Sequence, residues 1–128
     1  DQIAPHLFTS RALQLSSVEG RMAVAHAIGA AEAVMVTQIH GNGVVVVRRG
    51  EPRPAAATAA DTLVSDDPHV ALAVRAADCV PLLLADKRTG AVAAVHAGWR
   101  GTAAGAAAAL AGLGFACLTT ACSAAHCE

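Results

Sequence analysis

Apolar and polar positions along this chain alternate in short blocks, most of them too brief for helices. Residues 44–47 are four consecutive valines, a β-branched block that predicts a strand. Residues 33–38, 70–74, 80–85 and 91–95 are apolar runs bounded by polar or turn-forming residues, and they read as short buried strands. Residues 6–11 are expected to form another short strand, and residues 61–65 a strand or turn before the loop Asp66-Asp67-Pro68. Two segments carry helical features. In residues 18–28, Val18, Met22, Ala25 and Ile28 fall near one face and Gly29 supplies a stop. The Ala-rich run from about Thr102 to Ala111 is expected to be the second helix, ended by Gly112 and Gly114. Residues 48–60 form a Pro- and Ala-rich loop, expected to be the most flexible interior segment. Short runs apolar on both faces, mixed with helices, favour a layered α/β domain.

Composition changes this picture in one respect. The apolar fraction is 55%, but Ala supplies 33 of those residues and the aromatics are Phe8, Trp99 and Phe115 alone. Ala buries little surface, so the core must come from Val and Leu and will be thin. Such a chain is expected to need a partner subunit (a homo-oligomer), a metal, or further sequence. Formal net charge is -1, with no basic block, so neither nucleic acid nor an acidic membrane surface is an expected partner. Residues 101–125 carry no charge, but they are mostly Ala, Gly and Thr, and read as a buried helix and loop rather than a membrane span. With no secretory signal visible, a cytoplasmic location and reduced thiols are the default expectation for the four cysteines.

The chemistry sits in three polar islands within apolar surroundings: Gln38-Ile39-His40-Gly41, Ala77-Asp78-Cys79, and Val95 through Thr102. His40, Cys79 and His96 each end a strand-like run, and strand ends on one edge of a sheet converge. Two imidazoles and a thiolate suit Zn²⁺, with a fourth position left for water or substrate. The same residues also fit unrelated structural roles: a hydrogen-bonded His beside Gly, a buried Cys acting as a small hydrophobe. Gly41, Ala77, Ala97 and Gly98 would let a ligand approach closely. Asp78 is a candidate general acid or base, or the group that orients a ligating His, or simply a turn cap. Arg100, beside a helix start at Gly101-Thr102, is a candidate phosphate or carboxylate grip; Arg11 and Arg75 share that reading with less support. Trp99 either stacks on a flat ligand or fills the core. His6, His26 and His69 are read as structural. Cys117, Cys122, His126 and Cys127 lack the close cysteine pairs of zinc fingers, and the tail, residues 115–128, is expected to be irregular.

In order, the islands resemble the signature of the YfiH/YlmD family, long labelled polyphenol oxidase or laccase-domain proteins and now associated with purine nucleoside phosphorylase activity. Gln38-Ile39-His40-Gly41, Ala77 through Asp86 and Ala94 through Thr102 carry the resemblance, and the opening His6 through Arg11 adds to it. It covers roughly residues 6–112, so residues 1–114 are expected to form a partial domain of this type, lacking the C-terminal half of longer members. After the opening segment, Ala12-Leu13-Gln14-Leu15 stands where the family is Gly-rich.

The resemblance implies a cytoplasmic α/β/α fold with a mixed sheet. It implies a zinc held by His40, Cys79 and His96, with copper as the alternative that the oxidase label suggests. It also implies nucleoside and phosphate as partners, through phosphorolysis of adenosine, inosine and methylthioadenosine, with adenosine deamination besides. Asp78 and Arg100 are then the expected catalytic residues. Two other readings stand beside this one: a metal-independent hydrolase with Cys79 as a nucleophile activated by His96 or His40, and a truncated, inactive binding module.

Overall fold

Ser17 starts the first helix: its hydroxyl accepts the Gly20 N–H at 3.0 Å, and the chain winds on through Val18–Ala27 (α1). The computed structural model describes residues 4–10, 12–105 and, as backbone, 118–122. Gly29, at φ 77°, lets the chain leave α1 in the left-handed region, as the sequence predicts. Glu32–Val34 (β1) follows. Val44–Val47 (β2) and Thr62–Ser65 (β3) pair in parallel, Val44 opposite Thr62 and Val47 opposite Ser65. Val70–Leu72 (β4) returns to pair in parallel with β1 as a separate two-stranded sheet. Val80–Asp86 (β5) and Val92–Ala97 (β6) form an antiparallel pair around the turn at Gly90, and β6 pairs antiparallel with β3. Trp99–Ala103 (α2) comes directly after β6, and Leu118–Cys122 (β7) adds to the outer side of β5. The larger sheet therefore has the order β2-β3-β6-β5-β7, with parallel and antiparallel neighbours.

The α/β class and the mixed sheet agree with the sequence; the division into two sheets is what the structure adds. Three elements differ from expectation. Residues 6–10 form no strand, and their bonds are local, such as the His6 ring to the Ala4 carbonyl at 3.0 Å. α2 begins at Trp99, with Gly98 at its start, three residues earlier than Thr102. Within the segment expected to be irregular, Leu118–Cys122 is a strand, because β5 offers it an open ladder. The rest of the second helix, its glycine stops, Arg11, Cys117, His126 and Cys127 lie outside the described residues.

β3 is buried along its whole length because it lies between two apolar clusters. Leu63 packs with Val34, Val36, Val47, Ala60 and Val70, joining the two sheets. Val64 faces the other way, with Leu84, Ala93 and Val95. α1 closes the small sheet through Ala25, Ala30 and Ala71. The core is as thin as the composition implies. Of its fully buried side chains, Leu63, Val47 and Val95 are the large apolar ones, beside Thr62, Asp61, Asp86 and Ser65. Buried polar groups are tolerated when hydrogen-bonded. Ser65 donates to the Val47 carbonyl at 2.8 Å, and Asp86 accepts from Thr89 at 2.7 Å and from the Arg88 N–H at 2.9 Å. The 48–60 loop, expected to be loose, is tied down by Arg53. Its guanidinium meets Glu32 at 2.7 Å, Asp67 at 2.9 Å and the Arg48 carbonyl at 3.2 Å. Among the described residues no helix is long and apolar enough to cross a membrane.

Gly20 lies in the first turn of α1, against the Gln14 carbonyl. A Cβ there would stand 2.1 Å from the Gln14 carbonyl oxygen, a backbone atom that cannot swing away. Gly20→Ala should therefore destabilise the protein by about 1–3 kcal/mol, although Ala is intrinsically the better helix former by about 1 kcal/mol. A higher midpoint for the variant in urea unfolding would contradict the contact.

Candidate metal centre

Three loops meet at one end of the larger sheet, and one buried carboxylate holds two of them. Asp61 immediately precedes β3 and is fully buried. An ionised carboxylate has about four acceptor directions, and Asp61 uses four. Oδ1 accepts the His40 N–H at 2.9 Å and His96 Nδ1 at 2.8 Å; Oδ2 accepts the Gly41 N–H at 2.8 Å and the Ile39 N–H at 3.2 Å. Its backbone carbonyl accepts the His96 N–H at 2.8 Å, extending the β3–β6 ladder. Burial alone would push this carboxyl up, but the His96 ring and the N–H groups of Gly41, Ile39 and His40 outweigh it and hold Asp61 below the usual carboxylate range.

This bonding decides the state of His96. Three backbone N–H groups already bond this carboxylate, so it faces His96 as an acceptor and Nδ1 donates to it; Nε2 is the ring nitrogen not bonded to Asp61. The result is the carboxylate–histidine arrangement that orients metal-binding imidazoles. His40 owes its place to the same group. Its φ is 62°, an unusual conformation for a non-glycine residue, and the three N–H bonds from residues 39–41 to Asp61 fix that turn. The two rings meet edge to face, with centroids 4.8 Å apart.

Cys79 arrives by strand register. Val80 pairs with Ala97, and the same register one step further sets Cys79 opposite Gly98. A Cβ on Gly98 would lie 3.1 Å from the Cys79 Sγ and 3.2 Å from the His40 Cδ2, so the missing side chain is what lets the thiol and imidazole close in. One donor atom from each of His40, Cys79 and His96 lies within 4.8 Å of the others. Two imidazole nitrogens and a sulfur suit Zn²⁺ or copper, and the bonded state of His96 fits a cation at its free nitrogen. Burial, then the neighbouring Asp78 carboxylate, push the Cys79 thiol up; its Sγ donates to Asp78 Oδ1 at 3.7 Å.

These three side chains wall a cavity of about 340 Å³, lined also by Gln38, Arg75, Ala76, Ala77 and Asp78. The structure thus brings together His40, Asp78, Cys79 and His96 from the sequence reading. It does not bring in Arg100, whose exposed guanidinium lies 5.1 Å from the centroid of the Trp99 ring, away from the cavity lining. The helix beside it, α2, has five residues. Trp99 is 77% exposed and does not fill the core. The carboxylate that orients His96 is Asp61, not Asp78. Sequence reasoning passed over Asp61 as part of a strand or turn; its one signal is a charge set directly before a run that is apolar on both faces.

Gly98→Ala should leave the sheet folded and lower metal affinity at least about 10-fold, the scale seen when groups supporting a metal site are disturbed. Equilibrium dialysis with Zn²⁺ would show it, and unchanged affinity would contradict the crowding. Because the folded pKa of Asp61 lies below its ordinary value, its contribution to stability is complete above pH about 4 and is lost as the pH falls through that region. Asp61→Asn should cost about 1–3 kcal/mol at neutral pH and flatten the acid limb of a stability profile followed by circular dichroism. An acid limb identical to the parent's would contradict this role.

Comparison with known proteins agrees with the fold. A purine nucleoside phosphorylase of Mycobacterium bovis is 46% identical over 81 residues, covering 63% of this chain and 32% of that protein. One of Deinococcus radiodurans is 37% identical over 118 residues, covering 77% and 45%. Among solved structures, YlmD from Geobacillus stearothermophilus is 36% identical with a TM-score of 0.62, covering 75% of this chain and 38% of that one. YfiH from Bacillus licheniformis is 32% identical with a TM-score of 0.61, covering 75% and 39%. The chain spans less than half the length of each. A family model described as multi-copper polyphenol oxidoreductase laccase matches residues 14–121, and the chain belongs to that family, the one that includes YlmD and YfiH.

Proposed function

We propose that the chain binds Zn²⁺ between His40, Cys79 and His96, and that the site serves phosphorolysis of purine nucleosides such as adenosine, inosine and methylthioadenosine. The observation that carries the reading is the His-Cys-His cluster at the wall of a cavity, with His96 already turned by Asp61. The relatives named purine nucleoside phosphorylase support the reaction class.

A bound Zn²⁺ would supply Lewis-acid charge beside the cavity. Everything else falls to the chain. Asp61 occupies Nδ1 of His96, leaving Nε2 as the ring nitrogen that would meet the metal. Cys79 must give up its proton to act as a ligand, and the Asp78 carboxylate, already its hydrogen-bond acceptor, is placed to receive it. Asp78 is also the proposed proton carrier for the purine, which departs with the electron pair of the glycosidic bond and needs a proton. The same cavity, admitting water in place of phosphate, is proposed for adenosine deamination. The hydrolase reading with a free Cys79 nucleophile is the weaker one. Activated cysteines have lowered pKa values, whereas burial and Asp78 raise this one.

The purified chain should carry about one zinc per molecule, and Cys79→Ala about a tenth of that or less, by elemental analysis. Undiminished zinc in the variant would sink the ligand assignment, and copper in place of zinc would overturn the metal. Release of hypoxanthine from inosine should require phosphate. Equal release without phosphate points to hydrolysis, and zinc with no release to a binding module.

A further inference from the structure

Resting on the phosphorylase reading, we propose that Arg75 binds the tetrahedral oxyanion, the phosphate consumed in the reaction. The cavity that holds the three ligands and Asp78 has Arg75 in its wall, whereas Arg100 lies elsewhere over Trp99. A neutral nucleoside needs no cation to bind; phosphate does. A guanidinium presents paired N–H donors that match phosphate oxygens. Among the described residues, the ion pairs are made by Arg53, Arg88 and His96, so the Arg75 guanidinium is not committed to an acid within bonding distance.

The root of this side chain is held firmly. Gln38 Nε2 donates to the Arg75 carbonyl at 2.7 Å, and the Arg75 N–H donates to Gln38 Oε1 at 2.7 Å. This reciprocal pair joins residues 37 apart in sequence and ties the segment bearing Asp78 and Cys79 to the one bearing His40. Ala76 and Ala77, between Arg75 and Asp78 in sequence, also line the cavity and carry no side chain larger than a methyl group. Arg75 and Asp78 both line the cavity. A cation at Arg75 suits the phosphate, and a carboxylate at Asp78 repels it and suits the leaving base.

The test is calorimetric titration of inorganic phosphate into the zinc-loaded chain and its Arg75→Gln, Arg75→Lys and Arg100→Gln variants, with adenosine monophosphate as a second titrant. Arg75→Gln keeps the backbone bonds to Gln38, so its thermal midpoint and zinc content should match the parent's. Phosphate affinity should fall roughly 10- to 100-fold in Arg75→Gln, the loss of a charge-assisted pair, less in Arg75→Lys, and hardly at all in Arg100→Gln. If the Gln variant does not fold, the Lys variant decides. No phosphate binding by the parent overturns the proposal, as does undiminished binding by the folded variants or an equal loss in Arg100→Gln. Tighter binding of adenosine monophosphate with the same dependence on Arg75 overturns free phosphate as the source of the oxyanion. The two readings fail separately. Phosphate binding through Arg75 with no base released from inosine sinks the phosphorylase and leaves this site. Base release with an unchanged phosphate KM in Arg75→Gln sinks this site and leaves the phosphorylase.

Discussion

The Asp61 carboxylate is the constraint on which the rest of the centre depends. A buried charge is costly unless it is fully hydrogen-bonded, and this one has a donor in each of its four acceptor directions. Two of the bonds converge on one oxygen, from the His40 backbone and the His96 ring. One group thus sets a loop conformation and a ring orientation at once. Because Asp61 also stands at the threshold of the most buried strand, the site is continuous with the core and is not a decoration on it.

That core is modest. Valine and alanine dominate it, and several fully buried side chains are polar. The chain compensates by bonding its buried Asp61, Ser65 and Asp86 side chains, though not the Thr62 hydroxyl, and by pinning its loops. Arg53 anchors the 48–60 segment to both the small sheet and Asp67, and Gln38 joins two cavity walls through backbone atoms. Interactions of this kind contribute little apolar burial, but they determine where the loops stand.

What could be read in the sequence was what local pattern specifies. The valine block of β2, the α1 helix with its Gly29 stop, and the apolar runs of β5 and β6 announce themselves over a few residues. His40, Cys79 and His96 were visible because each interrupts an apolar run, and their order matches a known signature. Long-range pairing was not visible. Asp61 bonds residues 20 to 35 positions away, and the Gln38 amide bonds Arg75 across 37. Residue type hinted at neither. Arg100 drew notice because it follows a unique Trp and precedes an Ala-rich run, yet it lies over Trp99, and the arginine in the cavity wall is Arg75, which no local feature distinguishes. Residues 6–10 look like a strand by composition but have no ladder to join.

The separation of His40, Cys79 and His96 along the chain has a thermodynamic consequence. His40 and Cys79 stand 39 residues apart, and Cys79 and His96 a further 17. Bringing such distant points together costs chain entropy, which grows slowly with loop length. Here the β3–β6–β5 pairing and the Asp61 bonds have already closed both loops, so a cation would meet a preorganised set and lose little affinity to ordering. By linkage, whatever binds the folded cluster and not the unfolded chain adds its binding free energy to the whole sheet. In a protein with so thin an interior, the cluster would then act as a cross-link between three segments at one end of the larger sheet, and cation occupancy and resistance to unfolding would rise and fall together.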